Sequence, residues 1–163
     1  MSEINLKLAT VNDISTIYNL AEKIWLHHYV PIIGKEQVNY MLARMYSAES
    51  LTEQMTIKNQ PFYLVEYKGR TIGFISISGE HEVFIHKFYI DQDEQGKGIG
   101  TMVFHQLNTL VPNVNSYTLT VNRKNYKSIN FYFKLGFVID HIDDFDIGDG
   151  YFMNDFIMKK SIH

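Results

Sequence analysis

The polar and apolar pattern changes period at Pro61. Before it, Ile4, Leu6 and Leu8 alternate with polar residues, which predicts a half-buried strand over 3–9. Thr10 or Asn12 then offers an N-cap, with Asp13 in the first turn. Ile14, Ile17, Tyr18, Ala21, Ile24, Trp25 and His28 recur at helical spacing and predict a helix ending near Pro31. Val38, Met41, Leu42 and Met45 stripe a second helix from about Lys35, and Ser50 with Glu53 reads as a capping box opening a short third. After Pro61 the pattern predicts three strands, over 62–66, 71–78 and 82–90, with Lys68-Gly69 and Ser78-Gly79 as turns. Turns that short imply an antiparallel meander. Alternation places Glu82, Phe84, His86, Phe88 and Ile90 on one face of the third of these strands.

A polar, glycine-dense turn follows, and a helix carrying Ile99, Met102, Val103, Leu107 and Leu110 runs from it up to Pro112. A strand over 117–121 comes next. Asn125 caps a helix reaching about Leu135, and Gly136 fits its C-prime position. Two last strands, over 137–142 and 151–158, are joined by an acidic loop over 143–149. No linker or repeat interrupts residues 1–163, so one mixed α/β domain is the economical reading.

Composition removes several function classes. There is no cysteine, so disulfides, thiolate nucleophiles and thiolate metal sites are excluded. Fifteen basic against 18 acidic residues leave no polybasic footprint, and no nucleic-acid partner is expected. No segment approaches the roughly 20 apolar residues that span a bilayer, and the N-terminus lacks a signal-like apolar run, so no membrane association and a cytoplasmic location are expected. His27 and His28 are adjacent and point apart on a helix, while His81 and His86 fall on opposite sides of a strand. No histidine and carboxylate cluster has ligand spacing, and no metal is expected.

The chemistry concentrates at Gln95-Gly96-Lys97-Gly98-Ile99-Gly100. Glycines where a helix begins leave backbone N–H groups free to hold an anion such as phosphate, although a plain strand-to-helix turn has the same composition. A Walker loop needs four residues between its glycines and a hydroxyl after the lysine, and both are missing. A dinucleotide fingerprint starting at Gly98 needs glycine where Val103 stands. The pattern that fits is Gln/Arg-x-x-Gly-x-Gly/Ala, which resembles the pyrophosphate loop of the GNAT N-acetyltransferases. Leu119-Thr120-Val121 with Asn125, and Phe131-Tyr132-Phe133-Lys134-Leu135-Gly136-Phe137, are similar to the segments that follow that loop in the family. One departure is Gln92, where the family often has proline. Asp91, Asp93 and Glu94 also put unexpected negative charge beside the loop.

The resemblance implies a single-domain α/β GNAT fold. Its central sheet is mixed, mostly antiparallel, with six to seven strands flanked by four to five helices. It implies acetyl-coenzyme A (acetyl-CoA) as cosubstrate and direct attack by a primary amine of a small molecule or peptide. The N–H groups of Gln95, Gly96, Lys97, Gly98, Ile99, Gly100 and Thr101 would hold the pyrophosphate, and the backbone of Phe88, Tyr89 and Ile90 the pantetheine arm. Asn125 would contact that arm, and Lys134 the phosphates. Tyr132 is the expected general acid, since a tyrosine with a pKa of about 10 is protonated at neutral pH. The general base is open between Glu82 and His86, of which His86, with an ordinary pKa of about 6.5, is the better candidate. Trp25, His28, Tyr29 and Tyr40 are candidate acceptor-pocket residues. With Glu22 or the acidic segment nearby, that pocket would suit a cation such as a polyamine, and the C-terminal segment is similar to a branch of the family containing polyamine acetyltransferases. Homodimers are common in the family. A non-catalytic acyl-CoA binding module, or a plain α/β interaction domain, stays open beside this reading.

Overall fold

The computed structural model describes residues 3–162. Strand β1 (Ile4–Leu8) leads through a 3-10 turn (Val11–Asp13) into α1 (Ile14–His28), α2 (Val30–Ile33), α3 (Lys35–Met45) and α4 (Ala48–Thr56). The meander β2 (Phe62–Tyr67), β3 (Arg70–Ser78) and β4 (Glu82–Ile90) follows. A second 3-10 turn (Gln92–Glu94) precedes α5 (Ile99–Leu110), β5 (Ser116–Asn122), α6 (Tyr126–Lys134) and the hairpin β6 (Val138–Gly148) and β7 (Tyr151–Ser161). The seven strands form one sheet in the order β1-β2-β3-β4-β5-β7-β6. Only β4 and β5 run parallel, joined by the α5 crossover, and the other neighbours are antiparallel.

Apolar side chains fill both faces of this sheet. On one, Ile99, Val103, Phe104 and Leu107 of α5 and Ile129 and Tyr132 of α6 pack on Ile75, Ile85 and Leu119. On the other, Ile17, Ile24 and Trp25 of α1 and Val38 and Leu42 of α3 pack on Phe62, Leu64 and Phe74. A fully buried residue such as Leu107 or Ile17 contributes about 1.5–3 kcal/mol relative to exposure. Such positions anchor both layers against the sheet.

Three expectations need correction. The capping box expected at Ser50 is absent, because Ser47 caps α4: its hydroxyl accepts the Ser50 N–H at 3.1 Å and its backbone is extended. The segment 143–149 is mostly strand rather than loop, since β6 continues to Gly148 and only Asp149-Gly150, with φ of 56° and 78°, makes the turn. Two consecutive positive φ values are what a tight hairpin requires. Acidic residues are tolerated there because β6 is an edge strand with most of its side chains in water.

The third correction decides the site. Ser76 faces Lys87 while Ile77 faces Ile85, so His86 is an extra residue, a bulge. The bulge reverses the alternation. Val83 and Ile85 share a core with Phe88 and Ile90, whereas Tyr89 packs on the opposite face. Glu82, Phe84 and His86 therefore do not share a face with Phe88 and Ile90.

Candidate active site

Beyond the bulge, β4 leaves its parallel partner. Pairing between β4 and β5 ends at Ile85 and Leu119, yet β4 continues to Ile90 and β5 to Asn122. The wedge between them opens a cavity of about 640 Å³. Its walls include Phe88, Tyr89 and Ile90 of β4, Thr120 and Val121 of β5, Gln95, Gly96, Gly98, Gly100 and Thr101 of the glycine turn, and Asn125, Tyr132 and Lys134 around α6. His28 and Tyr29, at the end of α1, reach it from the other side of the sheet.

The glycine turn is built to expose backbone. Gly96 and Gly98 have φ of 81° and 73°, and a Cβ at either would meet nothing within 4 Å. Gly98 occupies the N-cap position of α5, where no side chain takes the first N–H groups. The unpaired donors and the positive end of the α5 dipole thus face open space. At Gly100 a Cβ would lie 3.0 Å from the Phe131 ring, so this glycine lets α5 approach α6 closely. Gln95 holds the turn in place: its Nε2 donates to the Ile90 carbonyl at 3.2 Å, and its Oε1 contacts Lys127 Nζ.

The acidic residues beside the turn are neutralised. Lys23 of α1 lies 2.7 Å from the Asp91 carboxylate and 2.8 Å from that of Asp93. Glu94 accepts from Arg70 at 2.6 Å and from Lys97 at 2.8 Å. Lys97 first, and then Arg70, hold the Glu94 carboxyl below its ordinary range. Lys97 is engaged there and does not line the cavity. Lys127 does line it, and sequence reasoning missed it. Its signal was its place in the first turn of α6, two residues after Asn125.

Gln92, at the first position of its turn, carries a buried Oε1 with no partner among the described residues. Proline suits such a position, and the extended backbone of Asp91 (φ −49°, ψ 129°) is compatible with a following proline. Gln92→Pro is expected to stabilise the chain by about 0.4–1 kcal/mol, read as a rise in Tm of about 1–4 °C.

Tyr132 is buried between Phe131 and Phe137, with ring centroids 5.4 and 5.5 Å away. Burial pushes its hydroxyl pKa well above that of a free phenol. Among the described residues no protein group accepts that hydroxyl's hydrogen. Asn125 is 1% exposed, and its side chain is engaged: Oδ1 accepts the Ser128 N–H at 3.3 Å and lies 2.9 Å from His28 Nε2, while Nδ2 donates to the Tyr29 hydroxyl at 3.3 Å. It ties α1 to α6 across the mouth of the wedge.

The remaining candidates separate. Trp25 is core, packed against Tyr29 and Tyr46, and Tyr40 donates to the Ile147 carbonyl at 2.6 Å, holding the β6–β7 hairpin. Neither lines the cavity. His86 does line the cavity, lies 2.7 Å from the Ser78 hydroxyl, and has its pKa held at about 4 by burial, with Lys87 alongside. Lys87 is buried beneath the Tyr46 and Phe62 rings without a carboxylate partner among the described residues, and burial lowers its amine to about 8. Glu22 accepts from the Tyr18 hydroxyl at 2.8 Å, and neither it nor any of 143–149 reaches the cavity. Among the described residues no helix is long and apolar enough to cross a membrane.

A profile of the acetyltransferase (GNAT) domain matches residues 29–146. A peptidyl-lysine N-acetyltransferase of Salmonella typhimurium is 36% identical over 76 residues, covering 45% of this chain and 48% of that protein. The peptidyl-lysine N-acetyltransferase of Escherichia coli is 29% identical over 83 residues, covering 49% and 52%. The chain thus spans about half the length of the curated relatives it matches. In structure it is similar to the PaiA N-acetyltransferase of Thermoplasma acidophilum in complex with coenzyme A, with a TM-score of 0.80 and 23% identity over 99% of this chain and 100% of that one.

Proposed function

The chain belongs to the GNAT acetyltransferase family, and from that premise we propose that it transfers an acetyl group from acetyl-CoA to a primary amine. The observation that carries this reading is the parting of β4 and β5 beyond Ile85 and Leu119, directly beside an uncapped glycine turn. In this reading a thioester arm would enter the wedge, and its pyrophosphate would meet the N–H groups of the turn. The Phe88–Ile90 backbone would align the thioester, and Tyr132, lining the same wedge with its hydroxyl uncommitted, would protonate the departing thiolate. With no cysteine in the chain, direct attack by the amine is the economical route. A non-catalytic acyl-CoA module would have no use for a hydroxyl placed there.

The acceptor we propose is a lysine side chain in a peptide or protein. The names of the two curated relatives support it, and so does the lining, where Lys127 and Lys134 stand and Glu94 is already paired with Arg70 and Lys97. That lining offers a polycation little. With acetyl-CoA and a panel of lysine peptides, free amino acids and spermidine, thiol release is expected to be fastest with peptides. A clear preference for spermidine would replace this acceptor class with polyamines.

A further inference from the structure

Acetyl transfer to an amine needs a group that removes the ammonium proton, and His86, held near a pKa of 4, is a weak acceptor for it. The hydrogen bonds at the end of α1 single out another histidine. Ser128 contributes a backbone N–H, which can only donate, so the Asn125 atom it meets must be the amide oxygen. His28 Nε2 lies 2.9 Å from that same oxygen, and an oxygen without hydrogens obliges Nε2 to be the donor. The neutral imidazole of His28 therefore carries its hydrogen on Nε2 and its lone pair on Nδ1. Among the described residues no protein donor meets Nδ1, and His28 lines the cavity.

We propose that His28 is the general base of this active site, its Nδ1 accepting the proton of the incoming ammonium while Asn125 fixes the tautomer. This rests on the acetyltransferase reading above. The ammonium N–H breaks and an Nδ1–H forms. The neutral amine then forms the N–C bond to the thioester carbonyl carbon, and the C–S bond breaks with its electron pair leaving on sulfur. Tyr132 donates its hydroxyl proton to that sulfur, and the surplus proton on the amide nitrogen passes through solvent to restore the phenol. The imidazolium returns its proton to water, so each turnover releases one proton.

The groups facing His28 agree with this role. Burial first, then Lys127 of α6 and His27 of α1, lower its pKa from 6.5, while the bond to Asn125 opposes them. Tyr29 packs edge-on to the ring at 4.9 Å. These groups favour the neutral ring, and activity should fall as pH drops through the lowered His28 pKa. Asp155, buried near Tyr29 with its pKa raised to about 6, titrates in the same range. Its variant is the necessary control.

The test is the pH profile of kcat/KM, with a lysine peptide, for the wild-type chain, His28→Gln and Asp155→Asn. Glutamine retains a donor toward Asn125 and removes the titration. His28→Gln is expected to lose about 10²-fold in rate, to lose the acidic limb, and to keep acetyl-CoA affinity within about twofold. Asp155→Asn is expected to keep the limb. A limb that survives in His28→Gln, or vanishes only in Asp155→Asn, overturns the assignment while leaving the acetyltransferase reading intact. A wild-type chain that binds acetyl-CoA yet turns over no amine overturns both.

Discussion

Replacing Tyr132 with phenylalanine is expected to lower kcat about 10²- to 10³-fold, the span typical of losing one positioned proton donor. The substitution removes one oxygen and keeps the ring that packs on Phe131 and Phe137. Because no protein group among the described residues bonds that hydroxyl, they lose no hydrogen bond to the substitution. Tm should therefore change by no more than a few degrees. Acetyl-CoA affinity should stay within about twofold, since in the proposed complex the glycine-turn backbone, and not Tyr132, would hold the phosphate end. The combination of lost turnover with retained binding separates an acid from a packing residue. A Tyr132→Phe chain with wild-type kcat would remove Tyr132 from the chemistry.

The second large effect is expected at Gly98. Its φ of 73° is left-handed, and a Cβ there would meet nothing within 4 Å. Aspartate is among the residues that adopt this conformation with least strain, and it is a favoured N-cap. Gly98→Asp should therefore fold. Its carboxylate would take the free N–H groups of α5 and repel a pyrophosphate from the same place. A loss of acetyl-CoA affinity of about 10²-fold, or about 2.7 kcal/mol, is expected. Gly98→Asn, nearly the same shape without the charge, should lose much less. Equal losses from both substitutions would show that shape rather than charge governs the turn. Unchanged affinity in both would place the phosphates elsewhere.

Much of this site was legible along the chain because it lies within one run of residues. The turn from Gln95 to Gly100, the cap at Asn125 and the helix carrying Tyr132 follow from local rules of glycine conformation, capping and periodicity. The parting of β4 and β5 is not legible along the chain, since register between strands has no local signature. The bulge at His86 was invisible, because an extra residue in one strand is defined only against its partner. It reversed the face on which Glu82 and Phe84 stand relative to Phe88, and so undid an argument built on strict alternation.

Charges near the turn were misjudged for a related reason. Asp91 and Asp93 share an ion pair with Lys23, about 70 residues away, and Glu94 pairs with Arg70 from the preceding hairpin. No spacing rule connects such pairs. The acidic segment of β6 misled through composition, since aspartate is uncommon in strands except at exposed edges. His28 was visible as a pocket residue, but its tautomer follows from a hydrogen bond to Asn125, 97 positions further along the chain.

The claim on which the rest depends is that the β4–β5 wedge and the glycine turn hold an acyl-CoA. Titration of the isotope-labelled chain with acetyl-CoA, followed through its backbone amide resonances, tests this most directly. Saturable one-to-one binding is expected, with the largest shifts at the amides of Gly96, Gly98 and Gly100 and of Phe88, Tyr89 and Ile90. The absence of binding, or shifts confined to other parts of the chain, would contradict the account.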